Sequence, residues 1–430
     1  MKGYLRKHYH WVIALVVLLE MFAYVGILNN INGLYLIPVT GELGISRGDY
    51  SLAFSAKALV GALSVVVSGP LLRRFGYRKM AALFLGVAAA AFLVLSVSRN
   101  LFMLYLGVTM IGICEGSCLT ASAAFIIGKW FRKYHGSVLG FVTAATGIGG
   151  SATCILLTGI INGAGWRQSY VVCGILTAAV GVLIALLIRD EPERLGLRPF
   201  GEGERIRIKE KQRKGTERWH GFTLTQLTRM PVFYLTVLEI FLSCLCLYIA
   251  FYVIVPYLQS RGFTPEEAAS MQSVMLLGMA AFKLLSGVLS DWIGAKSAVG
   301  LCLAATTVSF YLLIRADSVA SGILAVVVFA LALPMTTVAI PLLTASLFGY
   351  RAHNTTNGFF LALPAAAAMI ASPLTNTVFD RTGSYIPAFR GAFLLSVLVL
   401  FLHFPVCLLA KRERKRLEQA GAEAVSDKIS

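Results

Sequence analysis

Charge is what this chain has least of: 14% of its 430 residues are Asp, Glu, Lys or Arg, where soluble domains carry about a quarter. Acid is scarcer than base, 21 residues against 38, giving a formal net charge of +17. An excess of that sign can mark a nucleic-acid partner. Here the basic residues stand between long apolar blocks, the pattern of a membrane protein with Lys and Arg gathered on one side, so no nucleic acid is implied. There is no CxxC pair and no His/Cys cluster, so neither a zinc centre nor a disulfide framework is implied. The eight cysteines all lie in apolar blocks and read as small packing residues. The glycine-rich stretch from Gly140 to Gly150 has no P-loop lysine and reads as close helix packing. With no metal cluster, no cofactor motif and no accessory soluble domain, an enzyme is not expected and no cofactor is implied. His403 is the one histidine inside an apolar block and reads as a packed residue.

What the chain has is apolar length: 57% hydrophobic residues and a mean hydropathy of +0.75. At about 20 residues per bilayer crossing, the blocks give twelve spans. They are 11–33, 50–72, 79–98, 101–127, 137–162, 168–188, 231–259, 267–289, 297–314, 319–347, 355–378 and 388–410. The basic start, Met1 to His10, runs into a block too long for a signal peptide and is read as the entry to the first span.

The left half repeats as the right half at an offset of 218 residues. Pro38 recurs as Pro256, Gly44 as Gly262, Gly76 as Gly294, Gly140 as Gly358 and Gly165 as Gly383, with no gap along the series. The period is too long for a solenoid and matches a six-span unit, so both copies have the same orientation. The expected fold is an all-α membrane protein of two parallel six-helix bundles. Its parts are an N-terminal segment 1–10, bundles at 11–188 and 231–410, a linker at 189–230 and a tail at 411–430. The linker's Arg205–Lys214 run is charged and free of aromatics, and is expected to lie on the membrane surface. Lys and Arg concentrate on the side of the termini and linker by about fourfold, which predicts that side to be cytoplasmic in a cell membrane.

Between spans 2 and 3 the chain reads Gly69-Pro-Leu-Leu-Arg-Arg-Phe-Gly-Tyr-Arg-Lys79, and its repeat reads Gly287-Val-Leu-Ser-Asp-Trp-Ile-Gly-Ala-Lys296. These resemble the G-x-L-x-D-R-x-G-R-K signature of major facilitator transporters. The resemblance implies a gating latch at Gly69, Gly76, Arg78, Gly287, Asp291 and Gly294, in which an acid pairs with basic groups. The second copy keeps the acid as Asp291, whereas Arg73 stands in the first, so the N-terminal latch must use other partners or be weaker. Leu43–Ser51, Lys129–Gly136, Pro192–Pro199 and Asp380–Phe389 resemble segments of the monocarboxylate transporter and oxalate/formate antiporter group. That resemblance implies a secondary transporter of a small organic anion, a mono- or dicarboxylate, by alternating access. Symport with protons and antiport against a counter-anion both stay open. The implied surroundings are a lipid bilayer and a functional monomer. The alternatives are an exporter of drugs or amino acids and a non-transporting sensor.

An anion inside a bilayer needs a fixed cation. Lys283 and Lys57 lie inside spans 8 and 2, near the midplane. A lysine there costs roughly 2.5–3.5 kcal/mol on insertion scales, so each must face the interior. Lys283 shares a helical face with Gln272 and Met279. By the resemblance it occupies the position of an arginine that contacts substrate carboxylate, and it is the first candidate, with Lys57 second. Each lysine can equally be a structural partner of an acid. Glu20, Glu115 and Glu239 are the acids inside spans 1, 4 and 7, open both to proton coupling and to pairing with lysine. Tyr24, Tyr248 and Asn32 are further candidates to line a cavity. Asn29, Asn30 and Asn32 make the expected outer end of span 1 polar, and Tyr35 and Tyr252 read as interface anchors.

Overall fold

A computed structural model describes residues 8–22, 27, 32–118, 120–131, 133–201, 221–349 and 353–426. Tyr24, Asn29, Asn30, the run 205–214 and the side chains of Gly69, Glu115, Gly287 and Asp291 lie outside what is described. The described chain is helical, apart from turns and one isolated bridge between Phe131 and Phe200. Nine of its helices are long and apolar enough to cross a membrane. The other three crossings are span 1 (Tyr9–Glu20, then Asn32–Leu43), span 2 (Arg47–Phe75) and span 4 (Leu101–Cys118, then Thr120–Trp130). The long spans are 3 (Tyr77–Ser96), 5 (His135–Ala164), 6 (Trp166–Leu187), 8 (Pro265–Ile293), 9 (Ala295–Arg315), 11 (His353–Thr382) and 12 (Ile386–Ser426). Span 7 is Pro231–Phe251 continued by Ile254–Ser260. Span 10 is Val319–Ala332 continued through a 3₁₀ turn into Ala339–Phe348.

Local chemistry follows the repeat. Ser46 caps span 2 by accepting from the Asp49 amide at 2.9 Å, and its repeat partner Thr264 caps span 8 by accepting from Glu267 at 3.2 Å. Each satisfies one orphan donor of a helix start. Gly76 and Gly294 carry the chain from span 2 to 3 and from span 8 to 9 at φ +79° and +82°, a left-handed conformation that costs a side chain dearly. Packing repeats as well. In the first half span 2 packs on 4 and span 3 on 4 and 6; in the second, span 8 packs on 10 and span 9 on 10 and 12. The halves meet along two main seams, span 2 on 11 and span 5 on 8, which the repeat interchanges, and spans 1 and 7 touch as well.

Two boundaries and the place of one tyrosine differ from those read in the sequence. Span 1 does not end at residue 33: it is helical to Leu43 through Pro38, because neighbouring helices in a bilayer supply partners for the groups a proline leaves open. Asn32 therefore lies within the crossing and not at its outer end. Tyr35, too, is no interface anchor: it is 3% exposed, bonded to Ser169 at 2.7 Å and stacked on Tyr170 at 4.1 Å. The tail from 411 begins as an extension of the span 12 helix, which runs to Ser426.

Candidate functional site

Where the halves meet, the chain leaves a cavity of about 50 Å³, room for on the order of four waters. Span 2 supplies Tyr50, Phe54, Ser55 and Lys57, span 1 supplies Asn32, span 7 supplies Tyr252 and span 11 supplies Ser372. Lys57 is 4% exposed. Its place is set by span 4, where Gly112 lets the two backbones touch: a Cβ there would lie 2.5 Å from the Lys57 carbonyl oxygen. Tyr252 sits where span 7 breaks between its two helices. Opposite it, a Cβ on Gly33 would lie 2.8 Å from the Tyr252 carbonyl oxygen, so only glycine allows spans 1 and 7 to approach so closely. Tyr50 donates to the Asn32 carbonyl at 3.3 Å, and Ser55 to the Met369 carbonyl at 2.6 Å. An ammonium, an amide, hydroxyls and phenols on apolar walls make a small site suited to an anion.

Of the candidates read in the sequence, Lys57 and Asn32 come together here. Tyr248 stands behind Tyr252, rings stacked at 5.3 Å. Gln272 lies in the seam of spans 5 and 8, accepting from the Cys154 thiol at 3.4 Å. Lys283 is not among the residues lining the cavity. It stands three turns along span 8 from Gln272 on the face turned to span 5, half-buried, with no side-chain partner among the described residues. Tyr50, Ser55 and Ser372 were missed by sequence reasoning, and Tyr252, read there as an interface anchor, lines the cavity instead. Pro38 and Pro256, a pair of interruptions at matching positions of two repeats, are the signal that could have found them.

The halves are latched at the face opposite the termini. Asp380, at the end of span 11, accepts the backbone N–H of Arg47 at 3.2 Å and of Gly48 at 2.7 Å. A carboxylate at a helix N-terminus is favoured by the helix dipole and by two otherwise orphan donors. Arg47 also donates to the Tyr385 hydroxyl at 2.9 Å and lies 3.7 Å from the Phe379 ring centre. Asn376 donates to Ser51 at 2.7 Å, the Ser151 and Ser273 hydroxyls meet at 2.5 Å, and Asn162 donates to Glu266. These bonds between the bundles join the far halves of spans 2, 5, 8 and 11. In the termini halves of spans 5 and 11, the repeat-related Gly140 and Gly358 face open space.

The family model of the Major Facilitator Superfamily matches residues 13–264 and 240–429. The chain belongs to this superfamily. It is 25% identical over 293 residues to a protein of Cupriavidus necator described as a probable sulfoacetate transporter, a match spanning 66% of this chain and 65% of that one, just under two thirds of the relative's length. Among solved structures it resembles the nucleoside transporter NupG (TM-score 0.69, 12% identity, 93% of this chain and 98% of that one). It also resembles a bacterial homologue of the lysosomal transporter Spinster in an inward-facing, occupied conformation (TM-score 0.67, 14% identity, 95% and 97%). At such identities these establish the fold alone, and with the family model they make the chain a multi-pass membrane protein of this superfamily.

The superfamily's loop motif lacks its acid in the first half of this major facilitator protein, and the structure supplies one from elsewhere. Asp190, just past span 6, accepts the Arg78 amide at 2.8 Å and leans against Gly76 so closely that a Cβ there would collide with it. The Arg78 side chain donates to the Ala185 carbonyl at 2.6 Å. The first loop is thus anchored to its own bundle.

Of the three candidate acids inside spans, Glu115 lies outside what is described, and Glu20 and Glu239 are bonded to groups other than the lysines. Glu20 accepts a hydrogen bond from the Tyr77 hydroxyl; Glu239 bonds His403 at 2.6 Å. The alternative that pairs Lys57 or Lys283 with these two acids is therefore overturned. So is the reading of His403 as merely packed, since burial of a carboxylate demands a partner and His403 is the one in reach. Each glutamate is fully buried and keeps one oxygen without a partner.

Proposed function

We propose that this protein is a secondary active transporter of a small organic anion, a mono- or dicarboxylate or a sulfonate of similar size, working by alternating access. The observation that carries this reading is Lys57: a buried ammonium beside Asn32 and Tyr252 in a cavity shared by the two bundles. A cation so placed in a bilayer is a functional site by default. The cavity's volume favours a ligand of few heavy atoms. The relative described as a probable sulfoacetate transporter supports an organic anion. Lys57 is the substrate anchor in this reading, and Lys283 is a second cation along the path toward the termini. The bundles 11–188 and 231–410 rock about the cavity, with the latch at Asp380 closing one end. The termini face is cytoplasmic, because Lys and Arg gather there, so the described state faces inward.

Counterflow in proteoliposomes loaded with formate, oxalate, lactate or sulfoacetate tests the reading. Exchange of at least one of them is expected, together with saturable stabilisation of the purified protein by the same acid; at about a hundred times its dissociation constant the gain is about 2.7 kcal/mol. Stabilisation without flux indicates a sensor. No response to any acid, with transport of cationic drugs or amino acids, indicates an exporter.

A further inference from the structure

The Glu239–His403 pair lies outside the cavity and plays no part in holding an anion, yet its hydrogen bonds define a chemical state. His403 Nε2 is 3.0 Å from the Lys296 carbonyl oxygen and Nδ1 is 2.6 Å from Glu239 Oε1. A carbonyl only accepts, so Nε2 carries a hydrogen. The short bond between Nδ1 and Oε1 then needs one more proton, on either atom. With it the pair is neutral overall, either as imidazolium and carboxylate or as imidazole and carboxylic acid. Without it, a carboxylate stands beside a neutral imidazole, one net negative charge in a buried place, which desolvation disfavours. The other oxygen of Glu239 is buried without a partner.

Among the described residues, these groups bond to or touch the pair. Glu239 comes from span 7, and span 9 offers the Lys296 carbonyl and the bare backbone of Gly300 against the ring. On its own helix Cys407 lies 3.5 Å from Nε2. On the termini face Lys296, whose carbonyl meets the ring, lines an open cavity of about 480 Å³ with Ser297, Ser346 and Arg414. The pair also ties span 7, whose upper break lines the anion cavity at Tyr252, to spans 9 and 12. The first half has no counterpart: Met21 and Ala185 stand at the repeat positions.

We propose that Glu239 and His403 form a proton-binding site that couples movement of span 7, and hence carriage of the anion, to the proton gradient. The proton shared by Nδ1 and Oε1 leaves to water through the Lys296 cavity as the pair separates and is regained when it closes. This rests on the carrier reading above, and the two can fail separately. The test uses Glu239→Gln, whose amide can still donate to Nδ1, in proteoliposomes with lactate and sulfoacetate as probes. Wild type should exchange a probe and also accumulate it against its gradient, up to about tenfold per unit of pH difference for one proton per anion. Glu239→Gln should keep exchange and lose the accumulation. Accumulation undiminished in Glu239→Gln, or exchange by wild type with no response to a pH gradient, overturns the proposal while leaving the carrier reading intact. A second arm needs no substrate. A cysteine replacing Ser51, in the far seam, is labelled by a membrane-impermeant maleimide, normalised to denatured protein at each pH. Labelling should change with pH in the parent and stay flat with Glu239→Gln; equal pH dependence in both also overturns it. If Glu239→Gln does not fold, His403→Asn is read in the same two arms.

Discussion

A single ammonium decides what this cavity can admit, since a lysine held at 4% exposure must be offset by polar company or by a ligand. Lys57→Gln should leave melting close to wild type and weaken anion binding about 10- to 150-fold, the loss of one charge-assisted hydrogen bond; titration of the purified protein with an exchanging acid measures it. Affinity unchanged in a stable Lys57→Gln protein would move the anchor to Lys283. That two lysines lay inside spans was legible from the sequence; which of them lines the cavity was not. Sequence position places both near the midplane, but only packing reveals that Gly112 sets Lys57 against the opposite bundle's cavity wall while Lys283 lies outside it. A subtraction of the repeat does find these residues. Lys57 corresponds to Met275, Asn32 to Ala250, Tyr252 to Leu34 and Glu239 to Met21. Polar chemistry stands in one copy where the other is apolar, whereas Pro38, the loop glycines Gly44, Gly76 and Gly165 and the Ser46 cap all have counterparts.

At the scale of elements, helix approach is set by small residues, because lipid gives no hydrophobic drive between helices. Gly112→Val should overpack spans 2 and 4 and cost about 1–3 kcal/mol, read as a lowered melting temperature with Lys57 displaced and anion binding reduced. Unaltered stability and binding would show that the 2.5 Å approach at Gly112 is not what seats Lys57. The far latch is a different kind of element contact, a carboxylate on the start of a helix. Asp380→Asn keeps the shape and removes the charge. It should weaken the latch by about 1–2 kcal/mol and raise the far-open population some 5- to 30-fold, measured as maleimide labelling of a cysteine at Ser51. The motif around Asp380 was legible as a family resemblance. Its role was not, because its partners Arg47 and Gly48 lie more than 330 residues away in sequence and only the fold brings them together.

For the whole molecule the repeat does more than set the number of spans. Ser55 and Met369, bonded across the seam of spans 2 and 11, map by the 218-residue offset onto Ser273 and Ser151, bonded across the seam of spans 8 and 5. Gly48 and Asp380 map onto Glu266 and Asn162 in the same way. Two seams related by the same axis have the same geometry, so rocking of one bundle on the other opens both together or neither. A lock on one seam should therefore arrest the whole cycle. Cysteines replacing Ser151 and Ser273, whose hydroxyl oxygens already stand 2.5 Å apart, are within reach of a disulfide. Oxidised, the double variant should lose counterflow while still binding the anion from the termini side, and reduction should restore flux. Flux that survives complete oxidation would mean that the seams move independently, and that the repeat describes how the protein is built without describing how it works.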